Sequence, residues 1–341
     1  MQPSSPEPAE SYVNPVYPHN LPDPFVVADG RGGFLALGTG GRLGNVPILR
    51  STDLVSWDPV GDAMPELAPW VRRWPGNSSW APEVMRFGDR WVMYYTNRDD
   101  ASGVQCIGIA VAEQPEGPYV DTSDAPAIAE LDEGGSIDAS PFRDTYGDTY
   151  GDTYGDTNGH TYGDADGTAY LLWKNDGNAI GVDTWIYARR LSADGLGFAG
   201  ERVGLIKQDA TWEGRLVEGP VLWRAPDAGD YVLFYSGNAY DSELYAVGYA
   251  VAPGPLGPYR KAPENPILES RGLAAGPGHC NLIEAFGATW MVYHSWHLGA
   301  VKAEPGRTMW IDRVRWESGR PIIDGPTDNP QPAPGTAGRD C

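Results

Sequence analysis

The feature that most constrains how this chain can fold is a unit of about 60 residues that recurs five times along it. Each unit begins with an apolar strand that carries an acidic residue or a histidine. An aromatic-rich strand, a third strand and a Gly-Pro turn then follow. The aromatic-rich strands are predicted at 33–38, 91–96, 169–174, 231–236 and 290–294. Apolar residues alternate with period two, and no long stretch shows the 3.6-residue period of an amphipathic helix, so the fold is predicted to be all-β.

The first strands are evenly spaced once one insert is set aside. The residues that mark them are Asp23, Glu83, Asp138, Glu218 and His279, separated by about 60, 55, 80 and 61 residues. The long gap contains a repeated Tyr-Gly-Asp-Thr sequence. We therefore expect 146–165 to be an exposed low-complexity loop inserted between the first two strands of the third unit. Without this loop the third gap is also about 60 residues.

Five units of three to four strands, none of which buries both faces alone, predict a five-bladed β-propeller whose blades pack radially. The propeller is expected at 14–327. A disordered segment is expected at 1–13 and a flexible tail at 328–341, because both ends of the chain are rich in proline together with other small or polar residues.

The composition excludes several classes of partner. A formal net charge of −21 argues against binding to nucleic acid or to an anionic membrane surface, since both need a positive face. No segment approaches the roughly 18–20 apolar residues of a membrane span. An acidic surface accepts a neutral ligand such as a sugar. The 13 Trp and 18 Tyr offer faces for stacking on sugar rings, although most of them are expected to fill the β core.

The cysteines and the N-terminus indicate less about the class of protein than the charge does. Cys106, Cys280 and Cys341 are too few for a disulfide scaffold and lack the spacing of a zinc site. The first ten residues have no apolar signal-peptide segment, but their composition fits a linker that remains after a signal peptide is removed. An extracellular location is therefore favoured, and the chain is expected to be a monomer.

The marker residues of the five units are expected to meet at one place. In a propeller the innermost strands start around a common axis, so equivalent residues of different blades converge. Several acids at one mouth raise each other's pKa and cost folding free energy, so the cluster needs a chemical reason. Glycosidic cleavage supplies one, because it needs a protonated acid and an ionised carboxylate. A third carboxylate can keep the acid protonated.

Short motifs surround these residues in chain order. They are Asn20-Leu-Pro-Asp-Pro-Phe25, Trp80-Ala-Pro-Glu-Val84, Ser136-Ile-Asp-Ala-Ser-Pro-Phe142, Glu218-Gly-Pro220 and Gly276-Pro-Gly-His279. Each is weak alone, but the five together at blade spacing resemble glycoside hydrolase family 43. The resemblance covers about 14–327, apart from the insert. It implies inverting hydrolysis of arabinofuranosyl or xylosyl linkages.

The resemblance also implies roles for individual residues. Asp23 matches the general base, Glu218 the general acid, and Asp138 the carboxylate that keeps the acid protonated and orients it. Glu83 matches a structural position and is left out of the catalytic set. Arg307, in the segment Gly306–Asp312, resembles an active-site arginine that bonds sugar hydroxyls and carboxylate; a surface salt bridge is the alternative.

The central channel leaves two alternatives open for His279. It resembles an axial histidine of the family that lies near a water-coordinated ion, but it is equally compatible with a hydrogen-bonded histidine without metal. No cofactor is expected to be required, and a structural Ca²⁺ or Na⁺ in the channel stays open. Trp80 is the first candidate for a sugar-stacking platform and Trp212 the second, with a place in the core as the alternative for both.

The expected partner is an oligosaccharide or polysaccharide. The favoured activity is release of arabinofuranosyl residues from arabinan- or arabinoxylan-type glycans, as in an arabinofuranosidase or arabinanase. A β-xylosidase or galactofuranosidase on the same fold is the alternative. A non-catalytic glycan-binding propeller is an alternative of another class, but it has no need for three carboxylates at the hub.

Overall fold

The computed structural model describes residues 10–73, 78–144, 167–226 and 228–336. The predicted loop at 146–165 and Cys341 lie outside these residues. Short 3₁₀ helices interrupt the β structure at Leu131–Glu133, Gly177–Ala179 and Thr211–Glu213. No helix in the described ranges has the length and apolar character needed to cross a membrane.

After the short strand β1 (Ser11–Tyr12), five antiparallel sheets follow one another along the chain, each pairing consecutive strands. Blade 1 contains β2 (Phe25–Ala28), β3 (Phe34–Leu37), β4 (Pro47–Ser51) and β5 (Asp58–Asp62). Blade 2 contains β6 (Trp80–Phe87), β7 (Arg90–Arg98) and β8 (Gln105–Ala112). Blade 3 contains β9 (Ser136–Asp144), β10 (Thr168–Asn175), β11 (Trp185–Leu191) and β12 (Phe198–Lys207). Blade 4 contains β13 (Val217–Arg224), β14 (Tyr231–Gly237), β15 (Ala246–Ala252) and β16 (Arg260–Lys261). Blade 5 contains β17 (Ala274–Ala285), β18 (Ala288–His297), β19 (Thr308–Glu317) and β20 (Arg320–Ile323). The last strand is β21 (Gln331–Pro332).

The first strands of the five sheets form a closed ring. In order around the ring, β2 contacts β6, β6 contacts β9, β9 contacts β13, β13 contacts β17, and β17 contacts β2 again. Five meander sheets whose first strands close on themselves are the arrangement of a propeller with its blades around one axis. The predicted five-bladed propeller is confirmed.

The apolar core is divided into five clusters, each between two adjacent blades. Blade 4 shows how the sequence produces this division. Val232 and Phe234 pack towards blade 5, whereas Leu233 and Tyr235 pack towards blade 3. Successive side chains of a strand point to opposite faces, so an unbroken apolar strand fills both of its neighbouring interfaces.

The two ends of the described chain meet beside blade 5. Ser11 and Tyr12 pair with Pro332 and Gln331 in a two-stranded sheet. The sequence places these residues in the disordered segment 1–13 and the flexible tail 328–341, and at these positions that prediction is wrong. The reason is local burial: Tyr12 packs edge-on against Trp290, with 6.4 Å between ring centroids, and its hydroxyl donates to the Ile311 carbonyl oxygen.

Candidate active site

A repeated backbone conformation marks the hub of the propeller. Every blade has at least one residue with φ between 40° and 59° at or near its first strand, and among these are Asp23, Ala81, Asp138, Gly219 and His279. This left-handed conformation is uncommon for residues other than glycine and costs about 1–2 kcal/mol. Finding it in all five blades shows that it belongs to the architecture of the hub.

This conformation corrects the register expected from the sequence. Asp23, Asp138 and His279 occupy equivalent positions, but Glu83 and Glu218 do not. Glu83 lies two residues after the equivalent Ala81, and Glu218 lies one residue before the equivalent Gly219. The pairing of β6 with β7 and of β13 with β14 shifts register beside these residues, and such bulges re-aim side chains in a way that motif spacing does not reveal.

Most of these residues are held by the preceding blade through the backbone N–H group. Ala81 N–H donates to Thr39 Oγ1 at 2.9 Å, and Asp138 N–H to Thr96 Oγ1 at 3.2 Å. In the same way His279 N–H donates to Ser236 Oγ at 2.8 Å. Asp23 N–H donates to Nδ1 of His294 at 3.1 Å, which closes the ring from blade 5 to blade 1. Each acceptor lies near the end of a second strand.

The pattern breaks once, between blades 3 and 4. The residue near the end of β10 is Lys174, whose ammonium group has no acceptor to offer. Gly219 N–H donates instead to Asp138 Oδ2 at 3.0 Å. Lys174 Nζ lies 3.0 Å from Glu218 Oε2. Where the pattern of hydrogen bonds breaks, two of the predicted carboxylates therefore make the contacts: Asp138 with Gly219, and Glu218 with Lys174.

Asp23 is held in its ionised form. Its Oδ1 atom lies 2.8 Å from the Arg307 guanidinium and 3.5 Å from His279 Nδ1, and Thr39 donates to Oδ2. Burial alone would raise the pKa of Asp23, but Arg307 and then His279 hold that pKa well below its ordinary value. A carboxylate in this state can accept a proton from water at any moderately acidic or neutral pH.

His294 supports Asp23 as a neutral group. Burial and the nearby Arg307 lower the pKa of His294 to about 4, so its Nδ1 atom is free to accept the Asp23 N–H. Its ring stacks on Tyr245, with 5.7 Å between centroids and an interplanar angle of 6°. The Nε2 atom is buried and has no hydrogen-bond partner among the described residues.

Asp138 and Glu218 form a second pair of carboxyl groups at the hub. Burial and the neighbouring Glu218 raise the pKa of Asp138 to about 6, against the opposing effects of His279 and Lys174. Glu218 accepts a hydrogen bond from the Tyr245 hydroxyl at Oε1 (2.8 Å) and contacts Lys174 at Oε2. Asp138 and Glu218 are buried, the Asp23 side chain is 11% exposed, and Asp138 interacts electrostatically with both of the other carboxylates.

The family model described as "Glycosyl hydrolases family 43" matches residues 12–159 and 152–321. The chain belongs to glycoside hydrolase family 43. The resemblance drawn from the five motifs is thus confirmed. A solved structure titled a thermostable family-43 glycoside hydrolase is 30% identical, with a TM-score of 0.79, and the match covers 95% of this chain and 99% of that one.

Proteins similar to this family-43 chain are named for different activities. An extracellular endo-α-(1→5)-L-arabinanase of Thermotoga petrophila is 27% identical over 66% of this chain and 48% of the relative. A second one, from Bacillus subtilis, is 24% identical over 71% of this chain and 51% of the relative. The β-D-galactofuranosidase xynD of Aspergillus niger is 24% identical over 76% and 72%. The chain spans about half the length of the two arabinanases.

Aromatic side chains lie at different depths around the family-43 hub. Trp80 begins β6 next to Ala81 and is 39% exposed. Trp212 is half-buried in blade 4, where its ring packs on Gly237 and Gly248 and tilts against Tyr235 at 5.6 Å between centroids. These positions leave Trp80 with a face open to solvent and give Trp212 a packing role. Sugar binding by either one stays a prediction.

Several residues of this site were not predicted from the sequence. Lys174 ends a second-strand motif whose counterparts end in Thr96, Ser236 and His294. A charged side chain at a position where the other motifs have a hydroxyl or an imidazole was therefore the sequence feature that could have identified Lys174. Tyr240 had no such signal. It is 47% exposed, and the Arg307 guanidinium lies 4.7 Å from its ring centroid, so it joins the site only through the fold.

Two further predictions concern Glu83 and a metal ion. Burial, with an added effect of Asp138, raises the pKa of Glu83 well above its ordinary range, while a hydrogen bond with Ser140 opposes the rise. Burial thus favours the protonated form of Glu83. Among the residues that the structure describes, no group of three or more His, Cys, Asp or Glu could hold a metal ion. An ion bound to His279 through water stays a prediction.

Proposed function

We propose that this protein is an inverting glycoside hydrolase that releases arabinofuranosyl residues from arabinan- or arabinoxylan-type glycans. One observation carries the proposal: carboxylates of opposite protonation tendency lie in one hub. Arg307 holds the pKa of Asp23 well below its ordinary value, whereas burial and the neighbouring Glu218 raise the pKa of Asp138 to about 6. Carboxylates whose environments push their protonation apart are the usual division of labour between a base and an acid.

Each residue of the proposed mechanism has one task. Asp23 takes a proton from a water molecule, and that water attacks the anomeric carbon. Glu218 gives its proton to the glycosidic oxygen as the bond between that oxygen and the anomeric carbon breaks. Asp138 orients the acid side of the site through its bond to Gly219 N–H. Because a water molecule must fit between base and sugar, the Asp23 and Glu218 carboxyl groups are expected to lie about 6.5–9.5 Å apart.

The choice of arabinosyl substrates is supported by the names of the two arabinanase relatives. The galactofuranosidase name of the third keeps a galactofuranosyl substrate as the second candidate, and a xylosyl substrate remains compatible with the fold. The two arabinanases are named extracellular, which supports the same location here. We also propose that the chain acts as a monomer.

The test compares purified variants on three chromogenic glycosides and on linear arabinan. The wild type should cleave 4-nitrophenyl α-L-arabinofuranoside faster than the β-xyloside or β-galactofuranoside, and ¹H NMR should show the inverted anomer first. Glu218→Gln and Asp23→Asn should lose at least about a hundredfold in kcat/KM on arabinan.

Glu83→Gln is the matched control. It replaces a buried acid, whose pKa is raised well above its ordinary value, with a neutral isostere, so it should retain wild-type turnover. A wild type that binds arabinan but cleaves no glycoside would overturn the proposal in favour of a glycan-binding propeller. Faster cleavage of the galactofuranoside would move the substrate to the second candidate.

A further inference from the structure

Lys174 is a buried cation beside the proposed general acid. Its side chain is 1% exposed, at a position where the other second strands offer a hydroxyl or an imidazole to the next blade. A buried ammonium group is costly unless it is paired and hydrogen-bonded. The fold therefore retains a charge at a position where blades 2 and 4 use a small neutral side chain.

The partners of Lys174 explain how its charge is retained. The Nζ atom lies 3.0 Å from Glu218 Oε2 and 3.7 Å from Asp176 Oδ1. Burial works against the charged form, but Glu218 and Asp138 raise the pKa of Lys174, so it stays an ammonium group. With the Tyr245 hydroxyl on Oε1, both carboxyl oxygens of Glu218 are held in place.

We propose that Lys174 is a positioning residue that fixes Glu218 and stabilises the carboxylate left when Glu218 gives up its proton. This inference rests on the function proposed above. In the step concerned, the Glu218 proton goes to the glycosidic oxygen, and the bond from that oxygen to the anomeric carbon breaks with its electron pair moving to the oxygen. Glu218 gains a negative charge, and the Lys174 ammonium is already in contact with it.

Lys174 and Asp138 act on Glu218 in opposite directions. The Asp138 carboxylate favours the protonated acid, and the Lys174 ammonium favours the anion. The other groups that interact with this pair are the Tyr245 hydroxyl, Asp176 just beyond the end of β10, His279 on β17, Asp23 and Glu83. The acid is thus set between one positive and one negative neighbour, which lets it hold a proton and still release it to a poor leaving group.

The test removes the charge by two substitutions. In Lys174→Met, and in Lys174→Gln, which keeps a neutral donor, the alkaline limb of the kcat/KM profile should move up by about one pH unit or more. Cleavage of arabino-oligosaccharides should fall about tenfold, and cleavage of the 4-nitrophenyl glycoside should fall less, because an activated leaving group needs little proton donation. Lys174→Arg should restore the limb.

Lys261→Met is the matched control. Lys261 makes ion pairs with Asp209 and the fully buried Glu213 in blade 4, so its loss should lower stability without moving the limb. An independent readout is ¹³C NMR of glutamate-labelled protein, with the Glu218 resonance identified by its loss in Glu218→Gln. The titration midpoint of this resonance should rise in Lys174→Met and Lys174→Gln.

The two proposals fail in distinguishable ways. Folded Lys174→Met or Lys174→Gln with an unchanged limb and an unchanged NMR midpoint would overturn the role of Lys174. A limb that also moves in Lys261→Met would overturn it as well. If the wild type cleaves no glycoside but the midpoint rises as expected, the proposed function fails and the catalytic role of Lys174 fails with it, whereas the electrostatic effect of Lys174 on Glu218 stands.

Discussion

Removing the Arg307 guanidinium from Asp23 should shift the acidic limb of activity. The two groups are 2.8 Å apart and both side chains are nearly buried, so solvent screens their interaction little. For unit charges about 4 Å apart at an effective dielectric constant of about 20, the interaction is about 4 kcal/mol. This corresponds to about three pKa units, and carboxylates beside arginine typically shift by about one to three.

Arg307→Met should therefore raise the acidic limb of kcat/KM by about one to three pH units, because the pKa of Asp23 rises when the cation is lost. Stability should change with it. A carboxyl whose pKa is lower in the folded than in the unfolded chain adds stability above its unfolded pKa, and this contribution disappears as pH falls through the folded value. Arg307→Met should thus be less stable than the wild type at pH 7, with a smaller difference in acid.

The assay is a pH–rate series from pH 3 to 8 on the arabinofuranoside, with chemical denaturation at pH 7 and pH 3. Arg307→Lys keeps the charge and should leave the limb near its wild-type position while raising KM, since it loses the planar guanidinium that can bond sugar hydroxyls. Arg42→Met removes a fully exposed ion pair with Glu304 and should change neither limb nor stability. An unmoved acidic limb in folded Arg307→Met would refute the assignment of Asp23 as the ionised base.

Three further predictions address other parts of the molecule. Asp138→Asn should lower the alkaline limb, and it should impair natural linkages more than activated glycosides; equal loss on both would make Asp138 a substrate-binding or structural residue instead. Deleting 146–165 should leave soluble expression and turnover largely intact, because a surface loop can be shortened at little entropic cost, and lost solubility would mean that the segment contains a strand. Tyr12→Ala should lower the free energy of unfolding by about 3 kcal/mol in denaturant titrations, since the ring is buried against Trp290, and an unchanged value would show that β1 is dispensable.

The fold could be predicted because its information is local and repeated. Alternating apolar residues specify each strand, and the unit length of about 60 residues specifies how many strands make a blade. The same locality limited the prediction at the ends. Ser11–Tyr12 lies beside a proline-rich terminus, and only its distant partner Gln331–Pro332 makes it a strand.

The site was less predictable because its contacts run between blades. Motifs placed Asp23, Asp138 and Glu218 near the hub, but the bulge beside Glu218 and the left-handed Gly219 are not visible in the spacing. The contact from Lys174 to Glu218 joins strands whose proximity exists only once two blades pack. A repeat-by-repeat comparison of strand ends would have shown Lys174 as the odd member, although not its partner.

Because the contacts at the hub form a ring, a residue made early in synthesis can obtain its partners only when the last blade folds. Asp23 is the first of the three carboxylates to be made, yet the groups that hold its pKa low, His279, His294 and Arg307, belong to blade 5. A chain that stops before that blade contains Asp23, the proposed base, without the groups that lower its pKa. Activity is therefore expected only when the fifth blade has closed the ring. An incomplete or opened propeller is expected to be inactive even where its individual blades are folded.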